Sequence, residues 1–189
     1  MRRILFYTII IPLTLFISGC AYIPHQTDLS VSVSLPSSSI GSGTNLYLKF
    51  IDDRESTVVG SRGAGLGAKI TAEDIMTIFE DGIKEGFKNK GYQLVTQDEA
   101  NSELKIKLRS FKYQIVAGLW SGREDINVVI NVEGRNGQLD YEKTYRHVHE
   151  ASKIFLADGQ GLNKNLNFAL NSTIKKLFND NDLDQFLTK

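Results

Sequence analysis

The sequence predicts an α+β fold in which an antiparallel sheet of about four to five strands carries two main helices packed on one face. Three observations lead there. Apolar and polar residues alternate through Leu29–Leu35, Leu46–Phe50, Leu104–Leu108 and Ile126–Val132, the period of a half-buried strand. Ile75, Ile78, Phe79, Ile83 and Phe87, and later Leu162, Leu166, Ala169, Leu170, Thr173, Ile174 and Leu177, instead recur at helical spacing, each set giving one apolar stripe. Asn136-Gly137 separates two strand-like segments and is a strong short-range hairpin signal, because a tight hairpin needs residues that tolerate positive φ.

Ahead of this domain the chain reads as a signal peptide and a short tether. Arg2 and Arg3 precede an apolar run from Ile4 to Phe16, followed by Ser18 and Gly19 before a cysteine. That is the charged, apolar and small-residue order of a secretory signal. The run is shorter than the roughly 20 residues that cross a bilayer, and Pro12 interrupts it. Ile17-Ser18-Gly19-Cys20 resembles the bacterial lipobox, which implies cleavage between Gly19 and Cys20 and acylation of the Cys20 thiol and of the new amino terminus. Stable anchoring needs more than one acyl chain, and lipidation at Cys20 would meet that condition. Cys20 is the only cysteine, so no intrachain disulfide can form. The expected organisation is a removed signal over 1–19, a lipidated cysteine and tether over 20–28, and a single domain over 29–189. Ala21 follows the cysteine; by resemblance to Gram-negative lipoproteins, the absence of Asp there implies the outer membrane, with the domain facing the periplasm.

The elements follow in order. Leu29 to Leu35, ended by Pro36, is expected as an edge strand or extended arm. Ser37 to Gly43 is a Ser- and Gly-rich turn, and the second strand stops at Asp52-Asp53. Arg54 to Lys69 holds Gly60, Gly63, Gly65 and Gly67, too Gly-rich for a helix, and is expected as a mobile loop or hairpin. Thr71 and Asp74 are spaced like a capping box, opening a helix that ends at Lys90 with Gly91 as its terminating glycine. In the strand from Leu104 the apolar phase shifts by one between Leu108 and Phe111, which predicts a bulge near Ser110. A turn at Gly118–Gly122 holds Leu119 and Trp120. The strand after Asn136-Gly137 runs from Leu139 to about Glu150, the second helix covers Leu162 to Phe178, and Asp182 is expected to cap a last short helix.

Basic and acidic residues number 22 each, and removal of the signal takes away Arg2 and Arg3 but no acid. The mature chain is close to neutral, with no basic field to hold nucleic acid. About 170 residues remain, enough for one domain with a sizeable core.

Candidate sites are few. Gly63-Ala64-Gly65-Leu66-Gly67 fits neither GxGxxG nor a P-loop. His147 and His149 lie two apart in a strand, so their rings share a side and form a weak two-residue metal candidate, with no third ligand evident from spacing. Asp52, Asp53, Arg54 and Glu55 cluster at a strand end, where paired carboxylates can act as acid and base, although Arg54 can equally pair with one of them. No GxSxG, HExxH or Cys-His arrangement occurs. Trp120 with Leu119, and Arg54 and Arg62 beside the glycine segment, are the candidate partner contacts. Asn163, Asn165, Asn167 and Asn171 read as the solvated side of the second helix.

The whole mature chain resembles the YajG-like lipoproteins of Gram-negative envelopes. The match is carried by the Cys20 signal, Leu35-Pro36, Phe50-Ile51-Asp52-Asp53-Arg54, Val59-Gly60-Ser61-Arg62, Gly86-Phe87, Lys90-Gly91-Tyr92, the Leu104–Tyr113 strand, and Leu177-Phe178-Asn179-Asp180 with Leu183–Leu187. The resemblance implies an address and carries no agreed activity. The function expected is a non-enzymatic structural, assembly or accessory factor working through envelope protein partners, with membrane lipid held through Cys20 and no other cofactor. The alternatives are a lipid or glycan carrier with a groove between sheet and helices, and, less favoured, a cell-wall hydrolase.

Overall fold

The structure, a computed structural model, describes residues 25–32, 38–62, 67–117, 122–153 and 159–189. Gly19, Cys20, Leu119 and Trp120 lie outside them. The described strands are β1 (His25–Gln26), β2 (Asn45–Asp52), β3 (Val58–Ser61), β4 (Lys69–Thr71), β5 (Gln93–Leu94), β6 (Ser102–Ala117), β7 (Gly122–Asn136) and β8 (Leu139–Lys153). The helices are α1 (Ile75–Asn89), α2 (Gly159–Phe178) and α3 (Asn181–Leu187). The fold is α+β, as the sequence predicts.

A five-stranded sheet, ordered β5-β2-β6-β7-β8, forms the main layer. Its inner face presents Leu104, Ile106 and Leu108 from β6 and Ile126, Val128, Ile130 and Val132 from β7, all buried. Phe79, Ile83 and Phe87 of α1 and Leu166, Leu170, Ile174 and Leu177 of α2 join them in one core. These are the alternating and helical stripes read from the sequence, brought face to face so that both lose contact with water. The bulge falls where the phase shift puts it, between Leu108 and Ser110 opposite β7, and lets Phe111 and Tyr113 stay on the buried face. Gly137 takes a φ of 59° and closes the β7–β8 hairpin.

The sheet is mixed rather than purely antiparallel. β2 runs parallel to both β5 and β6, while β6, β7 and β8 alternate in direction. The cause is α1: a chain that leaves a strand, crosses the sheet face as a helix and returns arrives parallel to the strand it left. β3 and β4, which flank Gly63–Leu66, pair antiparallel, those four residues lying outside the described ones, and β1 adds to β4 in parallel to make a second, three-stranded sheet.

Two caps differ from expectation. α1 begins at Asp74 without a side-chain cap bond, because Thr71 is the last residue of β4 and is committed to that sheet. The last short helix is capped by Asp180, whose side chain accepts from the Asp182 amide. Asp182 lies in the first turn instead, where a carboxylate favours the helix dipole. Gly91, at φ 90°, ends α1 as predicted.

The carboxyl-terminal end is tied to the body by buried polar groups. Lys90 Nζ donates to Asp184 Oδ1 at 2.6 Å and to the Phe178 carbonyl at 2.8 Å, and Tyr92 Oη donates to Asp184 at 3.2 Å. Asp180 accepts from Tyr141 at 2.8 Å and Tyr145 at 2.6 Å and pairs with Lys143 at 2.8 Å. Burial opposes ionisation of Asp180, but the bonds from Lys143, Tyr145 and Tyr141 outweigh it and bring its pKa down from 3.8 to about 2.

Candidate functional site: the amino-terminal arm and its groove

The residues leading out of the expected anchor are docked from His25 onward, so the segment expected as tether through Asp28 is already part of the fold. His25 and Gln26 pair with Ile70 and Thr71, and Thr27 donates from its amide and its hydroxyl to the Thr71 carbonyl, each at 3.0 Å. Beyond Thr27 the chain continues as an extended arm that lies on two helices rather than on a strand.

α2 holds this arm by two asparagines one turn apart. The Ser30 amide donates to Asn167 Oδ1 at 2.7 Å, while Asn167 Nδ2 donates to the Asp28 carbonyl at 3.0 Å. One step further, the Ser32 amide donates to Asn171 Oδ1 at 2.8 Å, and Asn171 Nδ2 donates to the Ser30 carbonyl at 3.0 Å. Four residues of helix rise about 6.0 Å and two residues of extended chain span about 6.6 Å, so successive asparagines meet successive equivalent positions of the arm. Each carboxamide offers one acceptor and two donors, which lets it replace the neighbouring strand that the arm lacks. His25 Nε2 lies 3.4 Å from Asn163 Oδ1 at the near end.

The arm's described apolar side chains, Leu29 and Val31, face inward. Leu29 is 7 % exposed and belongs to the core, and Val31 packs against it. Val31 sits over Gly82 of α1, where an added Cβ would come within 2.2 Å of Val31 Cγ1. Gly82 is thus a notch that admits the arm between α1 and α2. Ser30 and Ser32 are exposed, so over residues 29–32 the alternation that predicts an edge strand or arm is obeyed by an arm, while Val33 to Leu35 lie outside the described residues.

The asparagines are the residues that reading the sequence missed. Asn167 and Asn171 are clasps, and Asn165 donates to the buried Glu124 at 2.9 Å. The available signal was the spacing of Asn167 and Asn171 together with an alternating segment that had no strand partner.

The other candidates are placed as follows. Arg54 makes a two-pronged ion pair with Asp52, 2.8 Å at each contact, its side chain is only 3 % exposed, and its third nitrogen reaches the Ala72 carbonyl. It clamps the end of β2 to the link between β4 and α1. Asp53 pairs with Arg109 and Glu55 with Lys112, so each acid of the cluster has a basic partner. Arg62 directly follows β3, its half-buried side chain close enough to Tyr113 for its charge to act on the phenol. Burial and the nearby Glu124 carboxylate raise the Tyr113 pKa above its usual value. His147 and His149 share the helix side of β8, rings 6.5 Å apart and nearly parallel, with Phe168 of α2 against both. Partial burial and the charges of Lys176 and His149 lower the His147 pKa. No group of three or more metal-ligating side chains occurs among the described residues.

Two cavities lie away from the sheet-helix interface. One of about 350 Å³ sits on the sheet's outer face, beside Tyr47, Lys105, Glu133 and Arg135. Another of about 490 Å³ lies where the β3–β4 hairpin meets β6, beside Gly60, Lys69 and Tyr113.

A family model described as "Uncharacterized lipoprotein" matches residues 32–188. The chain belongs to this lipoprotein family. The YajG-like resemblance read from the motifs agrees with it, and the matched stretch spans the five-stranded sheet, both main helices and the carboxyl-terminal polar ties. No described helix is long and apolar enough to cross a membrane, which fits a lipid-anchored envelope lipoprotein. A search of curated proteins found no match. Among solved structures, protein XCC0632 from Xanthomonas campestris is similar over 82 % of this chain and 92 % of its own, at 15 % identity and a TM-score of 0.51. A putative neuraminyllactose-binding hemagglutinin homolog from Helicobacter pylori is similar over 84 % of this chain and 96 % of its own, at 10 % identity and a TM-score of 0.45. At such identities the first likeness speaks to the fold alone, and the second carries no argument.

Proposed function

We propose that this lipoprotein is held at the outer membrane by acyl chains on Cys20, faces the periplasm, and acts through protein-protein contacts as a non-enzymatic structural, assembly or accessory factor. The supporting observation is the docked arm. The body is bonded to the chain from His25, five residues past Cys20, so an extended tether reaches at most about 17 Å. A domain clasped this close to its anchor is suited to meeting other membrane-bound components, and poorly suited to a long search through the compartment. The acids at the end of β2 are each paired with a base, which favours a structural use of that cluster over acid-base chemistry. The test has two parts. Cys20→Ser is expected to move the protein from the membrane to the soluble fraction with its fold intact. Crosslinking in intact cells is expected to recover a defined set of envelope proteins, and recovery of none would sink the contact reading.

A further inference from the structure

We propose that the groove between α1 and α2 is a binding site for an extended peptide, and that its occupant in trans is the arm of a second copy of this chain. Among the described residues, what the groove reads of its present ligand is generic except at two positions. Asn167 and Asn171 bond only to main-chain amides and carbonyls, and the Ser30 and Ser32 side chains are exposed. Selectivity comes from Leu29, which enters the core, and from Val31, which must fit over Gly82. An extended segment with apolar residues at alternate positions and a compact one over the notch meets these demands. The arm of another copy meets them in register.

Among the described residues the arm is tied to the body by a two-residue strand pairing, the Thr27 bonds, the His25 contact with Asn163, the asparagine clasps and the side chains of Leu29 and Val31. Segments with few buried contacts open locally far more often than the whole domain unfolds. Exchange between copies then remakes every contact, so its equilibrium is set by association entropy and concentration, the usual route to a swapped, two-fold symmetric dimer. Confinement of copies to one membrane raises the effective concentration; that enhancement, though not the site, rests on the Cys20 anchor.

The experiment places the photoreactive residue benzoylphenylalanine at exposed position 32 and mixes isotopically heavy and light full-length protein, purified in detergent, across a concentration series. Crosslinks from position 32 to α2 within a single chain, recovered at monomer mass, report the arm in cis and confirm that the variant folds. Mixed-isotope crosslinks to α2 are expected to grow with concentration toward half of the total and to fall at least tenfold when Leu29→Ser is introduced. Crosslinks confined to one isotope at every concentration, or mixed crosslinks that fall elsewhere than α1 and α2, would overturn the proposal. Cys20→Ser protein is expected to exchange in the same solution assay. If it does so and membrane vesicles give the parent protein no advantage, the anchor reading fails while the site stands.

Discussion

Replacing Asn167 and Asn171 together by alanine removes four hydrogen bonds between α2 and the arm without touching the core. A net intramolecular hydrogen bond contributes about 0.5–1.5 kcal/mol. These lie at an exposed seam, where the freed amides and carbonyls can turn to water, so the lower end applies and the pair of substitutions weakens docking by about 2 kcal/mol. That corresponds to roughly thirtyfold more frequent opening of the arm. Leu29 and Val31 still favour the docked state, so the arm loosens rather than leaves. Hydrogen exchange of the Ser30 and Ser32 amides reads this directly. Their protection is expected to fall by 10- to 100-fold while the amides of Ile106 and Ile130 on β6 and β7 keep theirs. Unchanged protection at Ser30 and Ser32 would show that the asparagines do not hold the arm. An equal loss in the central strands would show that the arm is inseparable from the global fold.

Three further perturbations probe the same structure. Gly82→Ala improves helix propensity by up to about 1 kcal/mol but drives a Cβ into Val31, so arm protection is expected to fall while thermal stability of the body holds or rises. Lys90→Met strands the buried Asp184 carboxylate beside Tyr92 and is expected to cost about 3–5 kcal/mol in urea unfolding, with much of that recovered in the Lys90→Met, Asp184→Leu double variant. For pH dependence, the folded pKa of Asp180 lies below its ordinary value; its contribution of about 2 kcal/mol is therefore present above pH 4 and is lost as pH falls toward about 2. Asp180→Asn is expected to flatten the stability profile in that window, as followed by urea midpoints.

The sequence made the layers readable because burial leaves a period in it. The stripes of α1 and α2, the alternation in β6 and β7, the bulge at Ser110 and the turn at Gly137 all lie where pattern alone puts them. What stayed hidden depends on partners distant in the chain. Nothing local marks β2 as parallel, since its direction relative to β6 is set by the helix crossing between them. β1 has two residues, too few to show a period. Lys90 and Asp184 are 94 positions apart, and each looks like an ordinary surface charge. Asn167 and Asn171 were polar residues on a helix face, and their use became legible only when the arm was seen lying on them.

Under the proposed anchoring at Cys20, the docked arm keeps the body within a few residues of the lipid. A fluorophore on Lys69→Cys, in β4 next to β1, with an acceptor in the headgroup layer of vesicles holding the lipidated protein, measures that spacing. With the arm docked, the tether of about 17 Å holds the label within about 25 Å of the surface; undocked as far as Ser38, the tether would allow about 60 Å. A population centred near or below 25 Å that moves outward when Leu29→Ser is added to Asn167→Ala and Asn171→Ala is the expected result. A spacing beyond about 40 Å in the parent protein, unchanged by those substitutions, would contradict the account.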